Sequence, residues 1–86
     1  MIPVQDLLNR IRWDAEFGDA YFEIGYYDRV LDGILRIPFE RLEFPEGEHF
    51  VFHLIDPAGG EHAIPYHRVY EIFRNGVLIW ERPRHP

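Results

Sequence analysis

Val69-Tyr70-Glu71-Ile72-Phe73-Arg74-Asn75-Gly76-Val77-Leu78-Ile79-Trp80-Glu81 is two β-prone runs joined by an Asn-Gly pair. Asn and Gly accept positive φ at the two central positions of a type I′ turn, whose twist matches that of paired strands. The spacing predicts a two-residue hairpin. Counting across it puts Glu71 opposite Trp80 and diagonal to Arg82, with Val69, Glu71, Phe73, Leu78, Trp80 and Arg82 on one face.

Working outward toward the N-terminus, residues 49–56 alternate, with Phe50, Phe52 and Leu54 on one face, and Pro57-Ala58-Gly59-Gly60 turns the chain into a strand over 61–65. A third hairpin is signalled by Asp32-Gly33 between β-prone runs at 21–31 and 34–39. Residues 40–48, with Pro45 and Gly47, form the most acidic stretch and read as a solvated connection. Only the first segment leaves the two-residue period. Val4, Leu7, Leu8 and Ile11 recur at helical spacing, so 3–13 reads as an amphipathic helix with Pro3 in its first turn and an Asp6–Arg10 pair one turn apart. Residues 14–20 read as a loop.

The expected fold is α+β: an N-terminal helix packed on an antiparallel sheet of about six strands in successive hairpins, a sheet that can curl toward a barrel. Residues 1–86 read as a single domain, without internal repeat or linker, and 83–86 as a fraying tail. A hydrophobic share of 47%, with seven Phe, five Tyr and two Trp in 86 residues, suffices for one core and excludes a disordered chain. The lack of cysteine excludes a disulfide scaffold, thiolate metal ligands and a thiol nucleophile. No apolar run approaches the roughly 20 residues of a membrane helix, and the start lacks a basic n-region followed by an apolar h-region, so a cytoplasmic protein without a membrane partner is expected.

The net charge of −6 argues against a broad grip on a polyanion, which needs many Lys and Arg contacts to phosphate. Yet the charge is uneven: the acids crowd the middle of the chain, while Arg10 and Arg12 at one end and Arg68, Arg74, Arg82 and Arg84 at the other outweigh their local acids. All nine basic residues are Arg, which suits forked recognition of phosphate; a codon bias toward Arg gives the same composition.

Several residues can carry chemistry. A two-residue Asp32-Gly33 turn places Arg29 opposite Arg36, a like-charge pair that a bound anion relieves; Glu23, or a different register, relieves it equally. Asp28 shares the alternation of Phe22, Ile24 and Tyr26 and so points to the apolar side, where it needs a partner such as Arg12 or Arg68. Trp80 beside Arg82, and Trp13 beside Arg12, read either as a stacking platform with a guanidinium or as a core aromatic beside an ordinary ion pair.

The five histidines form no metal set. His49 and His53 stand four apart on a strand, roughly 13 Å at about 3.3 Å per residue. His53 and His62 can meet only as two ligands without a third. No metal and no cofactor is expected. With no repeated His-x-Ser/Thr, Gly-rich phosphate loop or serine motif, His67 beside Arg68 is left as the credible acid or base.

Four ordered blocks, Arg10-Ile11-Arg12-Trp13-Asp14, Phe22-Glu23-Ile24-Gly25-Tyr26-Tyr27-Asp28-Arg29, Ile64-Pro65-Tyr66-His67-Arg68-Val69 and Ile79-Trp80-Glu81-Arg82, span nearly the whole chain. In order and spacing they resemble a family of small, mostly archaeal proteins, the RNA cyclic group end recognition domain. In larger proteins that domain occurs beside RNA-end processing partners, including phosphoesterase modules. The resemblance implies binding of RNA 3′ ends that carry a cyclic phosphate, with RNA-processing proteins as further partners and the oligomeric state left open. It points to Arg10, Arg12, Trp13, Asp14, Tyr26, Asp28, Arg29, His67, Arg68, Trp80 and Arg82 as RNA- or phosphate-binding residues. Glu81 stands where the family pattern leads us to expect Asp. A single strained phosphate asks for one or two arginine forks, a neutral donor and an aromatic face, so a small cluster suffices even on an acidic protein. The alternatives are a protein-interaction or structural accessory domain and an RNA cyclic phosphodiesterase using His67; as a binding module the chain has no catalytic residue.

Overall fold

In a computed structural model of the chain, which describes residues 2–83, helical periodicity at the N-terminus gives α1, Val4–Trp13. Its Val4, Leu7, Leu8 and Ile11 are buried. A helix of this length is marginal alone, and full burial contributes about 1.5–3 kcal/mol per large aliphatic side chain, so packing holds it in place. Asp6 in the first turn and Arg10 and Arg12 in the last suit the helix dipole.

The described residues form seven strands in two antiparallel sheets beside the helix, an α+β architecture without a closed barrel. β1 (Phe22–Asp28), β2 (Gly33–Pro38), β6 (Val69–Arg74) and β7 (Val77–Glu81) form one sheet in the order β2-β1-β6-β7. β3 (Leu42–Glu43), β4 (Val51–Ile55) and β5 (Glu61–Pro65) form the other, in that order. The strand beyond the expected six is β3, inside the stretch read as a solvated connection. There Leu42 is buried, and Phe44 lies 5.6 Å from Phe39 and 6.1 Å from Phe52 between ring centroids.

Proline separates the sheets. Pro38 and Pro65 end β2 and β5, and each is followed by a three-residue 3-10 turn, Phe39–Arg41 and Tyr66–Arg68, that carries the chain to the other sheet. Having no N–H, proline cannot extend a ladder. The two crossovers share a pattern, Ile37-Pro38-Phe39-Glu40-Arg41-Leu42 and Ile64-Pro65-Tyr66-His67-Arg68-Val69. A short motif thus does recur, although two copies fall short of the three or more that a repeat architecture needs.

Two registers differ from expectation, and a third pairing carries a bulge. Between β1 and β2, Asp28 pairs with Gly33 and Arg36 stands opposite Gly25, so residues 29–32 form a longer loop and Arg29 does not face Arg36. The Asp28 carboxylate accepts the N–H groups of Val30 (2.8 Å) and Leu31 (3.1 Å), and this local capping wins over the two-residue turn. Arg36 bonds Glu23 instead (2.9 Å) and lies 3.6 Å over the Phe73 ring.

Asn75-Gly76 is the expected tight turn, with φ of 50° and 83°. Beyond Phe73↔Leu78, however, a bulge leaves Ile79 without an opposite residue, so Ile72 pairs with Trp80, and Glu71 with Glu81 rather than Trp80. A second irregularity, between β1 and β6, skips Tyr70 and lets Val69 and Ile72 both face the core. Trp80 is therefore turned inward, 7% exposed, and its indole N–H donates to the Ile2 carbonyl (2.9 Å). In the strand 51–55 Phe52 and Leu54 are buried as expected, whereas Phe50, just before it, is 73% exposed. Among the described residues no helix is long and apolar enough to cross a membrane.

Candidate functional site

One cleft opens between the sheets, about 670 Å³ in volume and thus within the roughly 300–1,000 Å³ range of small-ligand sites. Val30, Leu54, Ala63 and Ile64 are its apolar lining, and Tyr26, Asp28, Arg29, Asp56, Glu61, His62 and Arg68 are its polar groups. Different elements supply them: β1 brings Tyr26 and Asp28, the capped loop after it Arg29, the second crossover turn Arg68, and the β4–β5 hairpin the rest.

The acids in this cleft are occupied. Asp28 caps the Arg29 loop. Asp56 accepts the N–H groups of Ala58 (2.9 Å) and Gly60 (2.8 Å) and bonds His62 Nε2 at 2.9 Å. The His62 hydrogen bond first, then the backbone donors, hold the Asp56 carboxyl below its usual range. Glu61 bonds His53 Nδ1, whose other ring nitrogen lies 3.1 Å from Glu48. By contrast, no ion pair within 4.0 Å engages Arg29 or Arg68 among the described residues.

Tyr26 adds a neutral donor. Burial raises its hydroxyl above the usual range, Asp28 raises it further, and Arg41 pulls it back. The hydroxyl therefore keeps its proton at neutral pH and can donate to an anion. Sequence reasoning passed over Arg41, which occupies the same place in the first crossover turn as Arg68 in the second and donates to the Ile55 carbonyl at 3.1 Å. The shared Ile-Pro-aromatic-x-Arg pattern was the signal that could have found it.

The remaining candidates lie elsewhere. His67, Trp80 and Arg82 line a second cleft of about 400 Å³ with Phe50, Tyr66 and the start of the helix. Adjacent residues of a 3-10 turn point about 120° apart, which explains why neighbours His67 and Arg68 serve different clefts. The Arg82 guanidinium donates to the carbonyls of Val69 (3.0 Å) and Tyr66 (3.5 Å) and lies 5.3 Å from the Trp80 ring centroid.

At the far end of the helix Arg10 pairs with Asp14 (3.7 Å) and covers Phe17, and Asp14 caps the N–H groups of Glu16 and Phe17. Arg12 lies 4.3 Å from the Phe44 ring centroid and 4.7 Å from that of the exposed Trp13. It is therefore not the partner expected for Asp28, whereas Arg68 shares the Asp28 cleft. The eleven candidates thus fall into three groups.

Fold and cleft define a small α+β module that presents, between a pair of antiparallel sheets, two arginines without carboxylate partners among the described residues. The chain belongs to the MJ1316 RNA cyclic group end recognition domain family, whose model matches residues 1–82. Relatives include a UPF0248 protein of Metallosphaera sedula, 35% identical over 81 residues and covering 94% of each chain. The UPF0248 protein TK0315 of Thermococcus kodakarensis is 32% identical over 80 residues, 91% of this chain and 89% of its own. The UPF0248 protein PF1300 of Pyrococcus furiosus is 31% identical over 80 residues, 91% of this chain and 86% of its own. No solved structure matches the chain.

Proposed function

We propose that the chain is a binding module for RNA ends bearing a 2′,3′-cyclic phosphate and that the cleft between the sheets receives that end. One observation carries the reading: Arg29 and Arg68, from distant parts of the chain, line one cleft without a carboxylate partner among the described residues, while the acids around them are held by local donors. The two guanidiniums form charge-assisted hydrogen bonds to the phosphate oxygens, and the Tyr26 hydroxyl contributes a neutral donor. Asp28 acts by holding the loop that presents Arg29. The name of the family points to the same ligand. An end offers few phosphates, so an acidic chain can bind it.

Binding is favoured over ring opening by His67 because His67 lines the other cleft. The test is a titration of one oligonucleotide ending either in a 2′,3′-cyclic phosphate or in a 3′-hydroxyl. The cyclic end should bind more tightly, and Arg68→Ala should remove the preference; equal affinity for both ends overturns the proposal. A second reading, a protein-interaction module, has its own support in the free edge of β7, where Val77, Leu78 and Ile79 are 63%, 44% and 38% exposed.

A further inference from the structure

The second cleft lies across the Tyr66–Arg68 turn from the first, since His67 lines one and Arg68 the other. At its rim stands Phe50, an aromatic ring 73% exposed in a chain whose other phenylalanines are buried or half-buried. Its backbone is held against the same turn, because the Tyr66 N–H donates to the Phe50 carbonyl at 2.9 Å. Core packing does not account for that ring.

The rest of the cleft suits a flat, polar-edged ligand. Ile2, Val4 and the Trp80 edge give it apolar wall, and His67 and Arg82 give it hydrogen-bonding groups. Arg82 uses only some of its N–H donors on the Val69 and Tyr66 carbonyls, so others remain for a ligand. Single-stranded RNA is held by just this pairing of an aromatic face for a base with cationic groups beside it.

We infer that this cleft is a subsite for the nucleotide immediately 5′ of the cyclic-phosphate end, its base stacked on Phe50 and its polar edge met by His67 and Arg82. The module then reads a terminal dinucleotide across the Tyr66–Arg68 turn rather than a lone phosphate. This inference rests on the end-binding reading of the first cleft. Trp80 serves as a wall, being buried, and the platform is the phenylalanine that sequence reasoning had counted with the core face of its strand.

The experiment compares adenosine 2′,3′-cyclic monophosphate with the adenylyl dinucleotide carrying the same cyclic end, titrated into the full chain. The dinucleotide should bind about 5- to 150-fold more tightly, the range that stacking of one base on an aromatic gives. Phe50→Ala should remove that gain and leave the mononucleotide affinity unchanged, and Phe50→Tyr should restore it. Because Phe50 is exposed, neither substitution disturbs the core, which matched unfolding curves verify. Equal binding of the two ligands, or a gain that survives Phe50→Ala, overturns the inference alone. If neither ligand binds, the end-binding reading falls and takes the inference with it.

Discussion

Substituting Arg68 tests the cleft quantitatively, because the structure limits how many ionic contacts it can make. Arg29 and Arg68 are the two cleft arginines without carboxylate partners among the described residues; both engage the one cyclic phosphate, and for single strands each neutralised phosphate contributes roughly −0.7 to the slope of log K against log salt. A slope near −0.7 follows, which is about a threefold loss of affinity between roughly 50 and 200 mM salt. Arg68→Ala leaves Arg29 on that phosphate, so the slope should change little. A hydrogen bond to a charged group contributes about 1.5–3 kcal/mol, so the substitution should also raise Kd about 10- to 150-fold at fixed salt. Fluorescence anisotropy of an RNA labelled at its 5′ end, titrated at several salt concentrations, measures both quantities. Arg36→Ala makes the same charge change where Arg36 bonds Glu23 on the outer sheet face, and should alter binding little. A wild-type slope steeper than about −3, or a Kd that Arg68→Ala leaves untouched, refutes the single-phosphate site.

Three further outcomes follow from the geometry. Asp28→Ala removes the acceptor of the Val30 and Leu31 N–H groups, so cyclic-end affinity should fall several-fold while the melting temperature moves little, as paired binding and thermal scans would report. Gly25→Ala would place a Cβ 2.7 Å from Glu71 Oε1 and 2.9 Å from Ile34 Cγ2 in the middle of β1. Overpacking of that kind costs typically about 1–3 kcal/mol, to be seen as a lower urea midpoint, and an unchanged midpoint contradicts the packing described. The third is pH dependence. The Glu61 hydrogen bond chiefly raises the His53 pKa above 6.5, against the opposing effect of burial, so the folded state binds the extra proton. That contribution is complete below 6.5 and is lost as pH rises through the raised value; His53→Gln should flatten the alkaline side of a stability–pH profile. Asp56 works in the other direction: its carboxyl is held below 3.8, so its contribution is present above 3.8 and is lost as pH falls through the lowered value.

What the sequence determined on its own was local. Helical spacing at Val4, Leu7, Leu8 and Ile11 needs no distant partner to define a face, and Asn75-Gly76 sets its own turn through two positive φ angles. The α+β class and the family could accordingly be read from residue order alone. Tertiary structure decided what depends on competing partners. The register shifts at Tyr70 and Ile79 turn Val69, Ile72 and Trp80 inward together, and a two-residue period counted along one strand cannot contain such a bulge. Pro38 and Pro65 look like strand ends in the sequence, but only the assembled core shows that each sends the chain to a different sheet and opens a cleft between them. Likewise His67 and Arg68, neighbours in the chain, serve separate clefts because a tight turn sends adjacent side chains apart. Periodicity records which way a side chain points relative to its own backbone; which groups meet across the molecule is set by register and packing, and those belong to pairs of distant segments.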